Sequence, residues 1–229
     1  MGAKGARVAL VGRNVAKLHK TKAAIEEASG TAEVFVTDLL KDEDIRKLAV
    51  DVQNLWGTVD ILANVAAVWY NDERSYLGPL LHQTSIQEVD EVFNVGLRAA
   101  IFLCQLFIPG MIEQKRGKIL NISGRFPEGG FGCMHYFISK AGLEALTSGL
   151  AAELRQYNVQ VNCISPADVD SEAMYKFHPE YAEIALSTDL VADLAVYLLE
   201  SVVGDQMTGQ TVVIGNDTIV WDSLSEKAH

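Results

Sequence analysis

The chain has 229 residues, 49% of them hydrophobic, which is enough to bury a sizeable core as one α/β domain. Its 19 basic and 30 acidic residues give a formal net charge of -11, which disfavours binding to nucleic acid or to an anionic membrane. No apolar run approaches membrane-spanning length and the N-terminus lacks a signal peptide, so we expect a cytoplasmic protein.

Cysteines and histidines give no sign of a metal or disulfide framework. Cys104, Cys133 and Cys163 form neither an even set nor a CxxC pair. The histidines are scattered without a spacing that suits metal ligands. The sequence therefore predicts no metal site.

Strand-like and helix-like segments alternate from one end of the chain to the other, without a linker or an internal repeat. The short runs "VDILAN" (59–64) and "GKILNIS" (117–123) lack polar alternation, which is typical of parallel strands buried on both faces. The pattern predicts an α/β, doubly wound parallel sheet, folded as a single domain over 1–229. Ligands bind such sheets at the carboxyl ends of the strands. This indicates a cleft among the loops after Val11, Val36, Asn64, Ile122 and Ser165.

Two long helices are predicted in the second half of the chain. One spans 85–114 and opens on Ser85 with Glu88 three residues later, which is the spacing of a capping box. The other spans 136–157 and places Tyr136 and Lys140, four residues apart, on one helix face. A phenol becomes a useful acid or base near pH 7 when a neighbouring cation lowers its pKa, and Lys140 could supply that cation. Ser123, thirteen residues before Tyr136, could then hydrogen-bond a substrate carbonyl.

These residues resemble the short-chain dehydrogenase/reductase family, and the likeness covers residues 6 to 215. It includes "TDLLKDEDI" around Asp38, "VFNVG" around Asn94, and "ISPADVDS", which contains Val169 and Ser171. The resemblance implies a Rossmann-like fold.

The resemblance also implies roles for these residues. Tyr136 would be the general acid/base, and Lys140 would lower its pKa and hold the nicotinamide ribose. Ser123 would orient the carbonyl, and Asn94 would anchor a proton relay through a bound water. Asp38 would bind adenine, and Val169 and Ser171 would contact the nicotinamide amide.

An arginine after the second strand of this family commonly meets the 2'-phosphate of NADP, so Arg13 favours NADP(H) over NAD(H). The motif after the fourth strand is altered to Asn64-Val65-Ala66-Ala67, where Asn64 could still bind the ribose. Alignment by the strand "KILNIS" moves the serine position onto Gly124, whereas the spacing to Tyr136 selects Ser123.

The family's first strand and its Gly-x-x-x-Gly-x-Gly loop should precede Arg7, and they are absent from the sequence. That strand is central in the family's sheet, so two alternatives stand. The run "RVALVGR" could take the central position and pair on both sides, which gives a six-stranded sheet. Otherwise the chain is a truncated form. Its fold is then either completed by a partner chain or compromised. In either case we expect weakened cofactor binding, because the backbone donors for the pyrophosphate are lost.

The leading functional hypothesis is an oxidoreductase that moves a hydride between NADP(H) and a small-molecule carbonyl/alcohol pair. The alternatives are a non-redox isomerase, dehydratase or cyclase on the same scaffold, or a non-catalytic relative. Residues 172–188 are predicted to form a substrate lid. The resemblance implies a homo-dimer or homo-tetramer formed through the two long helices.

Overall fold

The structure is a computed structural model that describes residues 1–70, 74–126, 129–200, 206–215 and 219–223. Contacts divide the chain into two compact units, residues 1–59 and the described residues from Asp60 onward. The single domain over 1–229 stays a prediction.

The first unit is a pair of βα repeats. It contains β1 (Arg7–Gly12), α1 (Val15–Glu27), β2 (Thr31–Val36) and α2 (Asp42–Trp56). The strands β1 and β2 are parallel, from Arg7 opposite Thr31 to Gly12 opposite Val36. Helix α1 begins where the Asn14 side chain accepts a 2.9 Å hydrogen bond from the Lys17 backbone N–H, as an N-cap does.

The second unit is a five-stranded sheet with helices. Its strands are β3 (Ile61–Asn64), β4 (Gly117–Ile122), β5 (Val159–Pro166), β6 (Gln210–Ile214) and β7 (Ile219–Ser223). Its helices are α3 (Ile86–Phe93), α4 (Ala99–Glu113), α5 (Met134–Leu154), α6 (Glu172–Phe177) and α7 (Thr188–Leu199). The strand order is β3-β4-β5-β6-β7; β3 to β6 are parallel and β7 is antiparallel to β6. Every residue of β5 is buried, so the core lies around this strand.

The predicted α/β class with mostly parallel strands is confirmed, but the predicted six-stranded sheet is wrong. Among the described residues there are seven strands in two sheets, and β1 pairs with β2 alone. Within the first unit "RVALVGR" pairs with β2, and within the second unit β3 pairs with β4. Sequence reasoning also missed β7. A β-branched and aromatic run, Ile219 to Trp221, follows the turn-forming Gly215-Asn216-Asp217, which is a hairpin signal.

The long helix predicted over 85–114 is present as α3, a π-helical turn (Asn94–Arg98) and α4. It is long and apolar enough to cross a membrane by length and composition, so the expectation that no apolar run reaches that length is corrected. The core helix of a soluble protein meets the same criterion. The buried Phe102, Leu103, Phe107 and Met111 identify α4 as such a core element.

Candidate functional site

Tyr136 and Lys140 lie on the first turns of α5, as the sequence predicts. The Nζ atom of Lys140 lies 5.4 Å from the centre of the Tyr136 ring. It donates a 2.8 Å hydrogen bond to the carbonyl oxygen of Ile122, the last residue of β4. The Lys140 side chain is almost fully buried, and this burial lowers its pKa to about 8. A lysine and a tyrosine therefore share one buried face beside the carboxyl end of β4.

Aromatic rings surround the Tyr136 phenol. The ring of Trp69 lies 4.4 Å from it between centres, and the ring of Phe126 lies 6.0 Å away. Burial, followed by the nearby Tyr70, raises the pKa of Tyr136 above its ordinary value of 10.0. Burial decides the direction of this shift, and the expectation that Lys140 lowers the pKa of Tyr136 stays a prediction. Desolvation disfavours the phenolate, and the ammonium of Lys140 is bonded to a backbone carbonyl.

Ser123 directly follows β4 and is buried. Its hydroxyl donates a 2.7 Å hydrogen bond to Oε1 of Glu144, one turn beyond Lys140 on α5. It also lies 3.4 Å from the carbonyl oxygen of Ile164. A Cβ built on the neighbouring Gly124 would lie 3.1 Å from the Phe126 ring and 3.9 Å from Cγ of Lys140. Ser123 must therefore exchange its bond to Glu144 before its hydroxyl can orient a carbonyl.

Asn94 is the first residue of the π-helical turn, where the backbone N–H of Ala99 bonds to the Asn94 carbonyl five residues earlier. The turn therefore contains one more residue than regular α-helix would. Two residues on, a Cβ at Gly96 would lie 3.4 Å from the hydroxyl of Ser139 on α5. The turn is close to the helix that carries Tyr136, and the proton-relay role of Asn94 stays a prediction.

Asn64, predicted to bind the ribose, lies in a buried polar network. Its Nδ2 donates to Oδ1 of Asn121 over 2.8 Å, and Nδ2 of Asn121 donates to the Thr147 hydroxyl over 2.8 Å. The network joins β3, β4 and α5 below the Tyr136 site. Oδ1 of Asn64 is buried without a partner in the described part of the chain.

Val169 and Ser171 lie in the segment after β5. Val169 forms an isolated parallel bridge with Leu186, and the Ser171 hydroxyl caps α6 by accepting a 3.1 Å hydrogen bond from the Met174 N–H. The Val169–Leu186 bridge brings the two ends of the predicted lid, 172–188, close together. Within the lid Phe177 stacks on Tyr70, with 5.3 Å between ring centres.

Arg13 and Asp38 belong to the first unit. Arg13 is exposed and directly follows β1. Oδ1 of Asp38 accepts a 3.1 Å hydrogen bond from the Leu40 N–H, and its Oδ2 lies 4.0 Å from Nζ of Lys41. Their expected roles with the 2'-phosphate and adenine stay predictions.

Sequence reasoning missed a buried charged cluster beside the site. Glu88 forms an ion pair with Arg74, and its Oε1 lies 3.2 Å from Nε2 of His135, the residue before Tyr136. Burial lowers the pKa of His135, and this effect outweighs the nearby Glu88 carboxylate, which raises that pKa. The Ser85 hydroxyl accepts from the Glu88 N–H, as the capping box predicts, but the Glu88 carboxylate is drawn into this cluster. The three-residue spacing of Ser85 and Glu88 predicts the helix cap but not the contacts of Glu88 with Arg74 and His135.

Comparison with known proteins adds the family. The profile of the short chain dehydrogenase family matches residues 1–182. The chain belongs to this family. The match begins at residue 1, so it does not confirm the expected N-terminal truncation.

Individual relatives agree with this assignment. A crystal structure of a metagenomic short-chain oxidoreductase in complex with NADP is 32% identical, with a TM-score of 0.77, and the match covers 93% of this chain and 86% of that one. An uncharacterized oxidoreductase of Staphylococcus aureus (strain MRSA252) is 28% identical over 199 residues, which is 85% of this chain and 80% of that protein. A 3-oxoacyl-[acyl-carrier-protein] reductase of Thermotoga maritima is 26% identical over 205 residues, with the same coverage. The chain is an oxidoreductase of the short-chain dehydrogenase/reductase family.

Proposed function

We propose that this oxidoreductase transfers a hydride between NADP(H) and a small-molecule carbonyl/alcohol pair, with Tyr136 as the proton donor and acceptor. The observation that carries this proposal is the Tyr136–Lys140 pair, which lies beside the carboxyl end of β4 with Nζ 5.4 Å from the ring centre. The related oxidoreductase solved with NADP supports the choice of cofactor.

Each of the two units offers donors that suit one end of such a cofactor. Lys140 makes one hydrogen bond in the described part of the chain, to Ile122, and an ammonium has three donors. Two N–H donors are thus left for ribose hydroxyls. At the other end the exposed Arg13 offers a planar cation for the 2'-phosphate, beside Asp38 for adenine. Val169, Ser171 and Asn64 complete the proposed cofactor contacts.

The proton chemistry follows from the environment of Tyr136. Burial raises the pKa of Tyr136, so at pH 7 its phenol is protonated and can donate to a carbonyl oxygen as that oxygen gains negative charge. NADP(H), when bound, supplies the hydride chemistry. Ser123 orients the carbonyl after leaving Glu144, and Asn94 anchors the relay that returns the proton. Lys140, with a pKa of about 8, is mainly cationic at pH 7 and stabilises negative charge at the phenol oxygen.

The proposal is tested by calorimetric titration of the purified 229-residue chain with NADPH and NADH. We expect NADPH to bind about tenfold more tightly or better, because Arg13 adds a charge-assisted contact that NADH cannot make. Arg13→Ala should remove that preference. Arg116→Ala is the matched control, because Arg116 is exposed and paired with Asp60.

If neither NADPH nor NADH bound to a demonstrably folded chain, the proposal would be overturned.

A second candidate function is proton transfer without a nicotinamide, as in an isomerase, dehydratase or cyclase. The observation that favours it is the connection from β1 to α1, which is Gly12-Arg13-Asn14 rather than a glycine-rich phosphate loop. Turnover of a candidate substrate without added cofactor, lost in Tyr136→Phe, would support this function. Activity that survives Tyr136→Phe unchanged would favour a non-catalytic relative.

We also propose a homo-dimer or homo-tetramer that works in the cytoplasm. Ile101 on α4 and Ile138 on α5 are 37% and 44% exposed, which supports contact between copies through these helices. Sedimentation equilibrium of the chain and of an Ile101→Lys/Ile138→Lys variant tests the assembly. A monomeric wild-type chain would contradict it.

A further inference from the structure

Two short segments after β3 pair with each other and carry the ring that packs on the proposed proton donor. The ring of Trp69 lies 4.4 Å from the ring of Tyr136 between centres. The backbone N–H of Tyr76 donates a 2.9 Å hydrogen bond to the Trp69 carbonyl, and Tyr70 forms an antiparallel bridge with Ser75. The position of Trp69 therefore follows that of the segment that carries Ser75 and Tyr76.

A buried carboxylate on α3 holds this segment through Arg74. Oε2 of Glu88 is bonded to Nη2 of Arg74, and Nη1 of Arg74 donates a 3.0 Å hydrogen bond to the Ser75 carbonyl. The guanidinium carbon also lies 5.0 Å from the centre of the Tyr76 ring. Removal of the Glu88 charge would therefore release the guanidinium that ties the segment to α3.

The same carboxylate reaches the helix that carries Tyr136. Oε1 of Glu88 lies 3.2 Å from Nε2 of the buried His135, the residue directly before Tyr136. These two atoms are not aligned as a hydrogen bond, and neither has another partner among the described residues. A buried carboxylate is costly without a paired charge, so Arg74 supplies the contact that keeps Glu88 in place. Glu88 thus touches both the segment behind Trp69 and the first turn of α5.

Other contacts in this region do not join the same two parts of the molecule. Val68, Tyr76 and Val92 form a buried cluster with Tyr136 packed against it, but apolar packing has no preferred direction. The Tyr76 hydroxyl donates a 2.8 Å hydrogen bond to Oε2 of Glu91, and this bond joins the segment to α3. The contacts of Glu88 are directional and extend from the segment to α5.

We infer that Glu88 is a positioning residue for Tyr136, and that with Arg74 and His135 it sets the distance between the Trp69 and Tyr136 rings. This inference rests on the proposed function, in which Tyr136 is the proton donor. Glu88 touches neither the phenol nor the reacting atoms in this scheme. Its effect on the reaction comes from geometry, because a small displacement of a catalytic group lowers the rate steeply.

The test is fluorine NMR of the full chain labelled with 5-fluorotryptophan. The sequence has three tryptophans, so three resonances are expected, and Trp69→Phe assigns one of them. In Glu88→Gln and in Arg74→Met, the Trp69 resonance should shift by more than its linewidth or split, while the other two stay. Glu91→Gln is the matched control, because its amide oxygen can still accept from Tyr76 and the spectrum should stay as in the wild-type chain.

The spectra decide the inference without any turnover. An unchanged Trp69 resonance in Glu88→Gln, or an equal shift in Glu91→Gln, would overturn it. If Glu88→Gln does not fold, Arg74→Met is judged by the same criteria, since it breaks the same contact at a half-exposed position and leaves Glu88 intact.

A kinetic assay separates this inference from the proposed reaction. With 4-nitrobenzaldehyde and NADPH, kcat should fall about tenfold or more in Glu88→Gln, while the Kd of NADPH changes less than about twofold. The Glu88→Gln/Arg74→Met double variant should lose no more than the single variants, because both break one contact. A wild-type kcat in Glu88→Gln would overturn the positioning role and leave the proposed function standing. A shifted Trp69 resonance in a chain that binds neither nicotinamide cofactor would overturn the hydride-transfer proposal and leave the placement of Trp69 by Glu88 standing.

Discussion

Nζ of Lys140 donates its 2.8 Å hydrogen bond to the carbonyl oxygen of Ile122 while it lies 5.4 Å from the Tyr136 ring centre. The lysine is therefore held by the end of β4 and is not engaged by a carboxylate in the described part of the chain. The charged ammonium is buried, which lowers the free energy of unfolding. The same ammonium can bind a polar ligand.

Lys140→Met should stabilise the folded chain near neutral pH. The folded-state pKa of about 8 lies below the ordinary 10.5, so the unfolded chain binds the proton more readily between these values. The wild-type free energy of unfolding then rises with pH from about 8 to about 10.5, and the full penalty remains below about 8. Removing the amine should add about 1–3 kcal/mol at pH 7 and flatten this rise, as urea unfolding across pH measures.

Lys47→Met serves as the control for that measurement. Lys47 is exposed and paired with Asp51 on α2, so its loss should change the free energy of unfolding by less than about 0.5 kcal/mol. A Lys140→Met chain that is less stable than wild type at pH 7 would show that the buried ammonium is well solvated or paired.

Tyr136→Phe should abolish most turnover while the fold is kept. The phenol oxygen is the proposed proton donor, and proton transfer of this kind contributes about 10²–10⁴-fold to rate. Trp69 and Phe126 still pack on a phenylalanine ring, so the melting temperature should change little. Tyr157→Phe, in the turn after α5, is the matched control and should keep full activity.

Ser123→Ala and Glu144→Gln should differ in their effects on kcat. Both weaken the 2.7 Å hydrogen bond between the two side chains, and each should lower the free energy of unfolding by about 1 kcal/mol. Only Ser123→Ala removes the hydroxyl proposed to orient the carbonyl, so it alone should lower kcat tenfold or more. Similar kcat values for the two variants would mean that Ser123 has a structural role. The serine position of the family would then align with Gly124, as the strand "KILNIS" suggests.

Asn64→Leu should destabilise the second unit. The substitution leaves Oδ1 of Asn121 without its buried donor, which costs about 1–3 kcal/mol. Thr147→Val removes the other end of the same network and should cost a similar amount. Thermal unfolding of both single variants and of the double variant measures their coupling; strictly additive losses would contradict a connected network.

Local patterns in the sequence were sufficient for the α/β class and for the helix that carries Tyr136 and Lys140. Four-residue spacing on a helix fixes a shared face whatever the rest of the chain does. The partners of those side chains depend on contacts distant in sequence. Neither the Ile122 carbonyl that holds Lys140 nor the Glu144 that holds Ser123 follows from spacing. The raised pKa of Tyr136 depends on its burial and on the nearby Tyr70.

Sheet pairing was the least predictable part of the fold. A strand such as Arg7–Gly12 has the same apolar pattern whether it pairs on one edge or on two, so the sequence could not decide against a six-stranded sheet. The stacking of Phe177 on Tyr70 shows the same limit, because it joins the lid to a loop more than a hundred residues earlier.

The π-helical turn at Asn94–Arg98 accommodates one more residue than regular α-helix would, and the residues on either side keep their faces. Deletion of one residue within 94–98 would therefore restore regular winding and leave Phe102, Leu103 and Phe107 in the core. A deletion in the regular part of α4 would instead turn the residues on its two sides relative to each other by about 100°. In a library of single-residue deletions scored for folding, 94–98 should therefore be tolerated better than the middle of α4.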